Sequence, residues 1–265
     1  MNEAIALSWA ARIGEYAWPG FMLVLLVAVS TAGVVGWRAS RAAPDTEPDA
    51  DQAPQVGRRL IAGFLLIVLL ATGFATIASQ LGDGRQLQRC DEFLSHAIGQ
   101  YTPSGVKAVF GHLTHLGDPL LLWGGGIVIA VILSIKRHRG LAAVWAVALL
   151  GNAILNRVLK EIFARTRPLI DGMPGPVDGF SFPSGHASAS MVAYAMLVWL
   201  AWHLQRTRWR PPIAMAATAI VLTTASSRVF LQVHYASDVL AGLCSGAAWT
   251  TVCILSAAHL RRRRA

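Results

Sequence analysis

Lys160 stands seven residues before Arg167-Pro168, Pro183-Ser184-Gly185-His186 follows, and Ser227-Arg228 precedes His234 and Asp238. These side chains carry three permanent cations, two imidazoles and one carboxylate. Arginine offers a planar fork that grips two oxygens and lysine a compact point charge, a pairing suited to phosphate. Ser184 and Gly185 open an apolar run, and a helix N-terminus there presents free backbone N–H groups to an anion. Pro183 fits just ahead of such a helix, and Gly185 lets a ligand approach the backbone. His234 and Asp238 are four apart, so a helical backbone puts them on one face. A carboxylate beside an imidazole fixes its tautomer and supports it as a nucleophile, and a second imidazole, His186, can protonate a leaving oxygen. Each cluster alone has a plainer reading: an interfacial lysine, a loop, a helix start, a cap. Spacing by itself leaves open which histidine attacks.

The elements that must carry these residues are apolar. Of 265 residues, 54% are hydrophobic and 14% charged, against roughly 25% charged in soluble domains. Mean hydropathy is +0.49. Seven apolar runs lie at about 18–37, 60–79, 119–135, 141–158, 187–204, 212–228 and 237–258, long enough to cross a bilayer as helices. The expected fold is all-α: a polytopic membrane bundle without a soluble module. The first run could be a cleaved signal, but Glu3, Arg12 and Glu15 precede it in place of a basic segment. Residues 42–57, rich in Ala, Pro, Asp and Glu, read as a disordered cytoplasmic linker. The connections 136–140 and 205–211 are short and imply antiparallel neighbours. Within 80–118, Thr102-Pro103-Ser104 starts a helix whose apolar residues Val106, Val109, Phe110 and Leu113 recur at helical spacing, ending at Asp118-Pro119. It reads as a helix lying on the membrane surface, with His112 and His115 as interfacial histidines. Cys244 and Cys253, nine apart on one helix, are too distant to bridge. No metal-ligand spacing is present.

The net charge of +9 does not form a nucleic-acid face. Basic residues cluster at Arg38 to Arg59, Lys136 to Arg139, Arg206 to Arg210 and Arg261 to Arg264. All four groups fall on one side if the spans alternate, and that side is cytoplasmic by the positive-inside rule. The N-terminus is then outside and the C-terminus inside. Residues 159–186 and 229–236 connect spans on the outer side, so all three polar clusters meet there. Lys160, Arg165, Arg167 and Arg228 occupy the side where basic residues are usually scarce, which calls for an anionic ligand.

Taken together, the three clusters resemble the signature of the type 2 phosphatidic acid phosphatase superfamily, the membrane lipid phosphate phosphatases. Lys-x6-Arg-Pro is Lys160 to Pro168, Pro-Ser-Gly-His is Pro183 to His186, and Ser-Arg-x5-His-x3-Asp is Ser227 to Asp238. The resemblance implies a six-helix core over about 60–258, preceded by an additional N-terminal span and linker in 1–59 and followed by a basic cytoplasmic tail at 259–265. It implies that His234 attacks phosphorus to form a phosphohistidine, that Asp238 orients it, and that His186 protonates the leaving group. Lys160, Arg167, Ser184, Gly185 and Arg228 would hold the phosphoryl oxygens, with no metal and no cofactor. The chain departs from the pattern at the span 18–37 and at Ala236, where many members carry proline. The expected activity is hydrolysis of a lipid phosphate or diphosphate, such as undecaprenyl diphosphate, phosphatidylglycerol phosphate or phosphatidic acid. The expected setting is the outer, periplasmic face of a bacterial cytoplasmic membrane, with the lipid and bilayer as partners and no obligate protein partner. A phosphotransferase using the same phosphohistidine is the alternative, although no acceptor-binding residues are recognisable. A non-enzymatic lipid binder or transporter fits the intact signature less well.

Overall fold

A computed structural model describes residues 3–41, 52–82, 84–168, 179–204 and 207–262. Among them the chain is helical without strands. The helices are α1 (Glu3–Glu15), α2 (Ala17–Arg41), α3 (Gln52–Ser79), α4 (Gln86–Tyr101), α5 (Ser104–Leu113), α6 (Pro119–Ile135), α7 (Arg139–Phe163), α8 (Gly185–Leu204), α9 (Arg210–Phe230) and α10 (Ala236–Arg262). A 3-10 turn, Thr114–Gly117, joins α5 to α6. Among the described residues seven stretches are long and apolar enough to cross a membrane, and each contains one of the seven apolar runs; the third is longer than expected, Ser104–Ile135, and takes in α5. Leu120, Ile135 and Leu69 lie at 87%, 73% and 68% exposure, a display that water disfavours and hydrocarbon accommodates.

Helices α8, α9 and α10 pack on one another, α7 closes one side, α3 lies along α10, and α2 lies along α9. Trp145, Val192, Met196, Trp199, Cys253 and Ala257 form an apolar core toward the end of the bundle that holds Arg139. The buried indole of Trp145 donates to the Gly126 carbonyl at 2.9 Å, and the half-buried indole of Trp249 donates to the Ala148 carbonyl at 2.9 Å. Gly242 and Gly246 set how closely α10 meets α8. A Cβ at Gly242 would sit 2.6 Å from the Ser184 carbonyl oxygen, and one at Gly246 2.7 Å from that of Ser188. Small residues four apart allow this backbone approach between membrane helices.

Two helices lie outside the sequence expectation. Both α1 and α4 carry mixed polar and apolar residues and pack on each other, so neither appears as a long apolar run. The expected helix at 104 is present as α5, and it packs against the bundle. Phe110 is buried and stacks on Phe230 of α9 at 4.5 Å between ring centroids, with Trp18 and Phe21 of α2 edge-on to it. That cluster ties the additional N-terminal span to the core. The expected linker needs correction at its end. Residues 42–51 lie outside the described residues, but 52–57 belong to α3, where Pro54 falls in the first turn and its missing N–H costs no helical hydrogen bond.

Candidate active site

Helix α7 ends at Ala164, which takes a left-handed conformation (φ 43°) and donates its N–H to the Lys160 carbonyl. This stop frees residues 165–168 to turn across the end of the bundle. From Arg139 to Lys160 the helix rises about 31 Å, so the signature residues and the Arg139 end are one hydrocarbon thickness apart.

At the opposite corner α8 begins at Gly185. Ser184 is fully buried, and its hydroxyl oxygen accepts from the Ala187 N–H at 3.5 Å, a long N-cap contact. The Ser184 N–H donates to the Asp238 carbonyl at 2.9 Å, joining the first turns of α8 and α10. Asp238 lies in the first turn of α10, and its Oδ2 accepts from the Tyr235 N–H at 2.9 Å, half of a capping box. Capping and a catalytic pairing thus coexist in this carboxylate. His234 precedes the helix. The expected shared helical face is replaced by a turn through Gln232 (φ 57°) that still brings His234 Nδ1 to 3.5 Å from Asp238 Oδ2.

His234 is 2% exposed. Arg167 Nη1 lies 3.1 Å from His234 Nε2. A guanidinium only donates, so we assign Nε2 as the acceptor and the ring proton to Nδ1, on the side of Asp238 and Ser181. Burial, with Arg167 and Lys160 nearby, pushes His234 down to about 4 against the pull of Asp238. The imidazole is therefore neutral near pH 7, with a lone pair on Nε2.

A pocket of about 380 Å³ opens in front of this atom. Lys160, Arg167, Gly185, His186, Arg228 and His234 line it. Each cation is held. Lys160 Nζ donates to the Phe180 carbonyl. Arg167 donates to the carbonyls of Gly179 at 3.1 Å and Val233 at 2.9 Å. Arg228 donates to Thr114 Oγ1 at 2.9 Å, and its Nε is buried without a partner among the described residues. Ser184 and Asp238 do not line the cavity but stand directly behind it. All eight residues expected from the sequence therefore converge. Leu122, Trp123, Leu149 and Ala153 continue the lining as an apolar flank.

Residues the sequence reading left unassigned complete the arrangement. Arg165, counted there only as a misplaced cation, is buried between two carboxylates: Nη1 donates to Asp238 Oδ1 at 2.7 Å and Nη2 to Asp91 Oδ2 at 2.8 Å. Burial opposes its charge, but Asp238 and Asp91 outweigh burial and push Arg165 up. Burial likewise outweighs its partners at Asp91 and pushes that carboxyl up. Ser181 donates to Asp238 Oδ2, and Ser237 bonds both Asp91 and Arg165. Asn156 donates to Ser188 Oγ at 3.2 Å beside the pocket. Asp118 contacts His186 and His115. Only the out-of-place charge of Arg165 signalled any of this in the sequence, since the partners come from segments far apart along the chain.

The model of the PAP2 superfamily matches residues 140–262. The chain is 29% identical over 186 residues to phosphatidylglycerophosphatase B of Bacillus subtilis, covering 69% of this chain and 87% of that protein. It is 31% identical over 146 residues to decaprenylphosphoryl-5-phosphoribose phosphatase of Mycobacterium tuberculosis, covering 54% of this chain and 76% of that one. The crystal structure of a transmembrane PAP2-type phosphatidylglycerolphosphate phosphatase from Bacillus subtilis superposes with a TM-score of 0.64 at 27% identity, over 71% of this chain and 94% of that chain. Signature, helical architecture and relatives agree: the chain belongs to the PAP2 superfamily, as a multi-pass membrane phosphatase of that family.

Proposed function

We propose that the protein removes a phosphate from a membrane lipid through a phosphohistidine on His234. The observation that carries this reading is the buried His234, with Nε2 turned to a pocket ringed by three cations and Nδ1 toward Asp238. In the first step the phosphoryl oxygens take over the Arg167 N–H that Nε2 accepts in the empty site, Nε2 attacks phosphorus, the bond to the lipid oxygen breaks, and His186 gives that oxygen a proton. In the second, His186 takes a proton from water, the water oxygen attacks phosphorus, and the P–N bond breaks. Inorganic phosphate leaves and both histidines return to their starting states. Lys160, Arg167, Arg228 and the α8 N-terminus offset the charge on the phosphoryl oxygens, the main requirement in phosphoryl transfer.

The apolar flank of Leu122, Trp123, Leu149 and Ala153 supports a lipid chain as the body of the substrate. The names of both relatives describe lipids that carry a phosphate on a polar head, which favours a lipid monophosphate here, with a diphosphate as the neighbouring possibility. The distribution of basic clusters supports a periplasmic site, with the N-terminus outside and the C-terminus inside. We also propose the core as 60–258, with an added span and linker in 1–59 into which the first turns of α3 extend.

The direct test is phosphate release from a panel of lipid monophosphates and diphosphates in detergent with chelator present, coupled to rapid acid or alkali quench with labelled substrate. The expected result is label on the protein that survives alkali, is lost in acid and is absent from His234→Ala. Wild-type turnover with label on another residue type would rule out the phosphohistidine.

A further inference from the structure

Asp118 is not part of the three-cluster signature, and the mechanism above does not use it. It occupies the N-cap of α6, where an aspartate ordinarily bonds the free N–H groups of its own helix. Here its side chain makes no such bond. It gives Oδ1 to His186 Nε2 at 2.9 Å and Oδ2 to His115 Nδ1 at 2.5 Å. Its neighbours Gly117 and Pro119 line the pocket. Gly117 is also pressed against the site: a Cβ there would fall 2.3 Å from Thr224 Cγ2 and 3.3 Å from His186 Cδ2. The turn is thus held where Asp118 meets the imidazole. Side-chain exposure falls from 67% at His115 to 34% at Asp118 and 18% at His186, so the three run from solvent to the pocket wall.

We propose that Asp118, steadied by His115, is a positioning residue for His186 as the acid that protonates the leaving group. This inference rests on the phosphatase reading and deepens it. His186 lines the pocket together with the cations Arg228 and Arg167. Asp118 supplies the countercharge in direct contact. It also orders the ring: with Nε2–H donated to Oδ1, Nδ1 carries the transferable proton. When His234 Nε2 bonds phosphorus and the P–O bond breaks, that proton passes to the departing oxygen and leaves His186 neutral and still bonded to Asp118. The site then holds two Asp–His pairs, Asp238 with His234 for attack and Asp118 with His186 for departure.

The test is dependence on the leaving group, which a merely structural role would not produce. Full-length enzyme in detergent is assayed with an alkyl phosphate, whose alkoxide needs a proton, and with p-nitrophenyl phosphate, whose phenolate leaves without one. Because His186 also serves the later hydrolysis common to both substrates, the readout is kcat/KM, which reports only steps up to departure of the leaving group: for Asp118→Asn it is expected to fall about 10- to 100-fold on the alkyl phosphate, part of the roughly 10²–10⁴ that a positioned general acid contributes, and by less than about threefold on the aryl phosphate. Asp118→Glu, which keeps a carboxylate, is expected to recover part of the alkyl rate, and His115→Ala to show the same pattern more weakly. Equal losses on both substrates in Asp118→Asn would overturn the inference, as would an Asp118→Glu enzyme no better than Asp118→Asn. A wild-type enzyme that releases phosphate from neither substrate nor from lipid phosphates would overturn the phosphatase reading and this inference with it.

Discussion

Replacing Arg165 with methionine removes the cation that lies between two buried carboxylates. Arg165, Asp91 and Asp238 have side-chain exposures of 5%, 5% and 0%, so water screens neither pair. Methionine fills similar volume but leaves both charges stranded, together with the hydroxyl of Ser237 that Nη1 meets at 2.7 Å. Removing one partner of a buried pair costs about 3–5 kcal/mol, because the residual charge has no compensation. For a chain of this size each kcal/mol moves the midpoint by roughly 2–4 °C, so the expected fall in Tm is about 6–20 °C, followed by tryptophan fluorescence in detergent. Adding Asp91→Asn removes one of the stranded charges. The double variant is therefore expected to unfold above the single Arg165→Met variant, with a coupling of about 0.5–3 kcal/mol. Activity should fall in both, since Asp238 has lost the group that holds Oδ1. An Arg165→Met protein melting within about 2 °C of wild type would refute the reasoning, because the two carboxylates would then be shown to find water or protons without cost.

Four further outcomes follow from the same geometry. Gly242→Ala puts a methyl 2.6 Å from the Ser184 carbonyl oxygen, so it should destabilise by about 1–3 kcal/mol and lower kcat by separating α8 from α10, whereas Gly105→Ala, with nothing within 4 Å, should do neither. Arg167→Lys keeps the charge but loses the fork that spans Gly179, Val233 and His234, and kcat/KM should fall about 10- to 100-fold; unchanged kinetics would show that the fork is unused. Because folding lowers His234 from 6.5 to about 4, the unfolded chain binds more protons between those values, and stability should rise with pH across that window. His234→Asn should flatten this rise when Tm is compared at pH 4.5 and 6.5. A cysteine introduced within 172–178 should react with an impermeant thiol reagent from the periplasmic side and one within 206–209 should not; the reverse pattern would invert the proposed orientation.

The apolar runs, the positive clusters and the three short motifs were all legible along the chain, since each depends on composition or on neighbours a few residues apart. They were enough to indicate a helical membrane bundle and to name the eight residues that converge on the pocket. Hydrocarbon requires its spans to declare themselves locally, because a helix must satisfy its own backbone. The amphipathic helices α1 and α4 did not stand out, because their apolar residues are shared between one another and the bundle end.

Long-range electrostatics belonged to the tertiary structure alone. Asp118, Thr114 and Ser181 are ordinary polar residues in sequence, and each gains its place by meeting a signature residue that lies 53 to 114 positions away in numbering, while Asp91 gains its own by meeting Arg165, 74 positions away. Arg165 stood out as a cation on the unexpected side, but only folding supplied its two carboxylates. The His234–Asp238 spacing was visible, yet the turn at Gln232 decided that His234 sits outside the helix with Nε2 toward the pocket. Chemistry of residue types can be read from one strand of text; which proton each nitrogen carries depends on the partner that packing brings within about 3 Å.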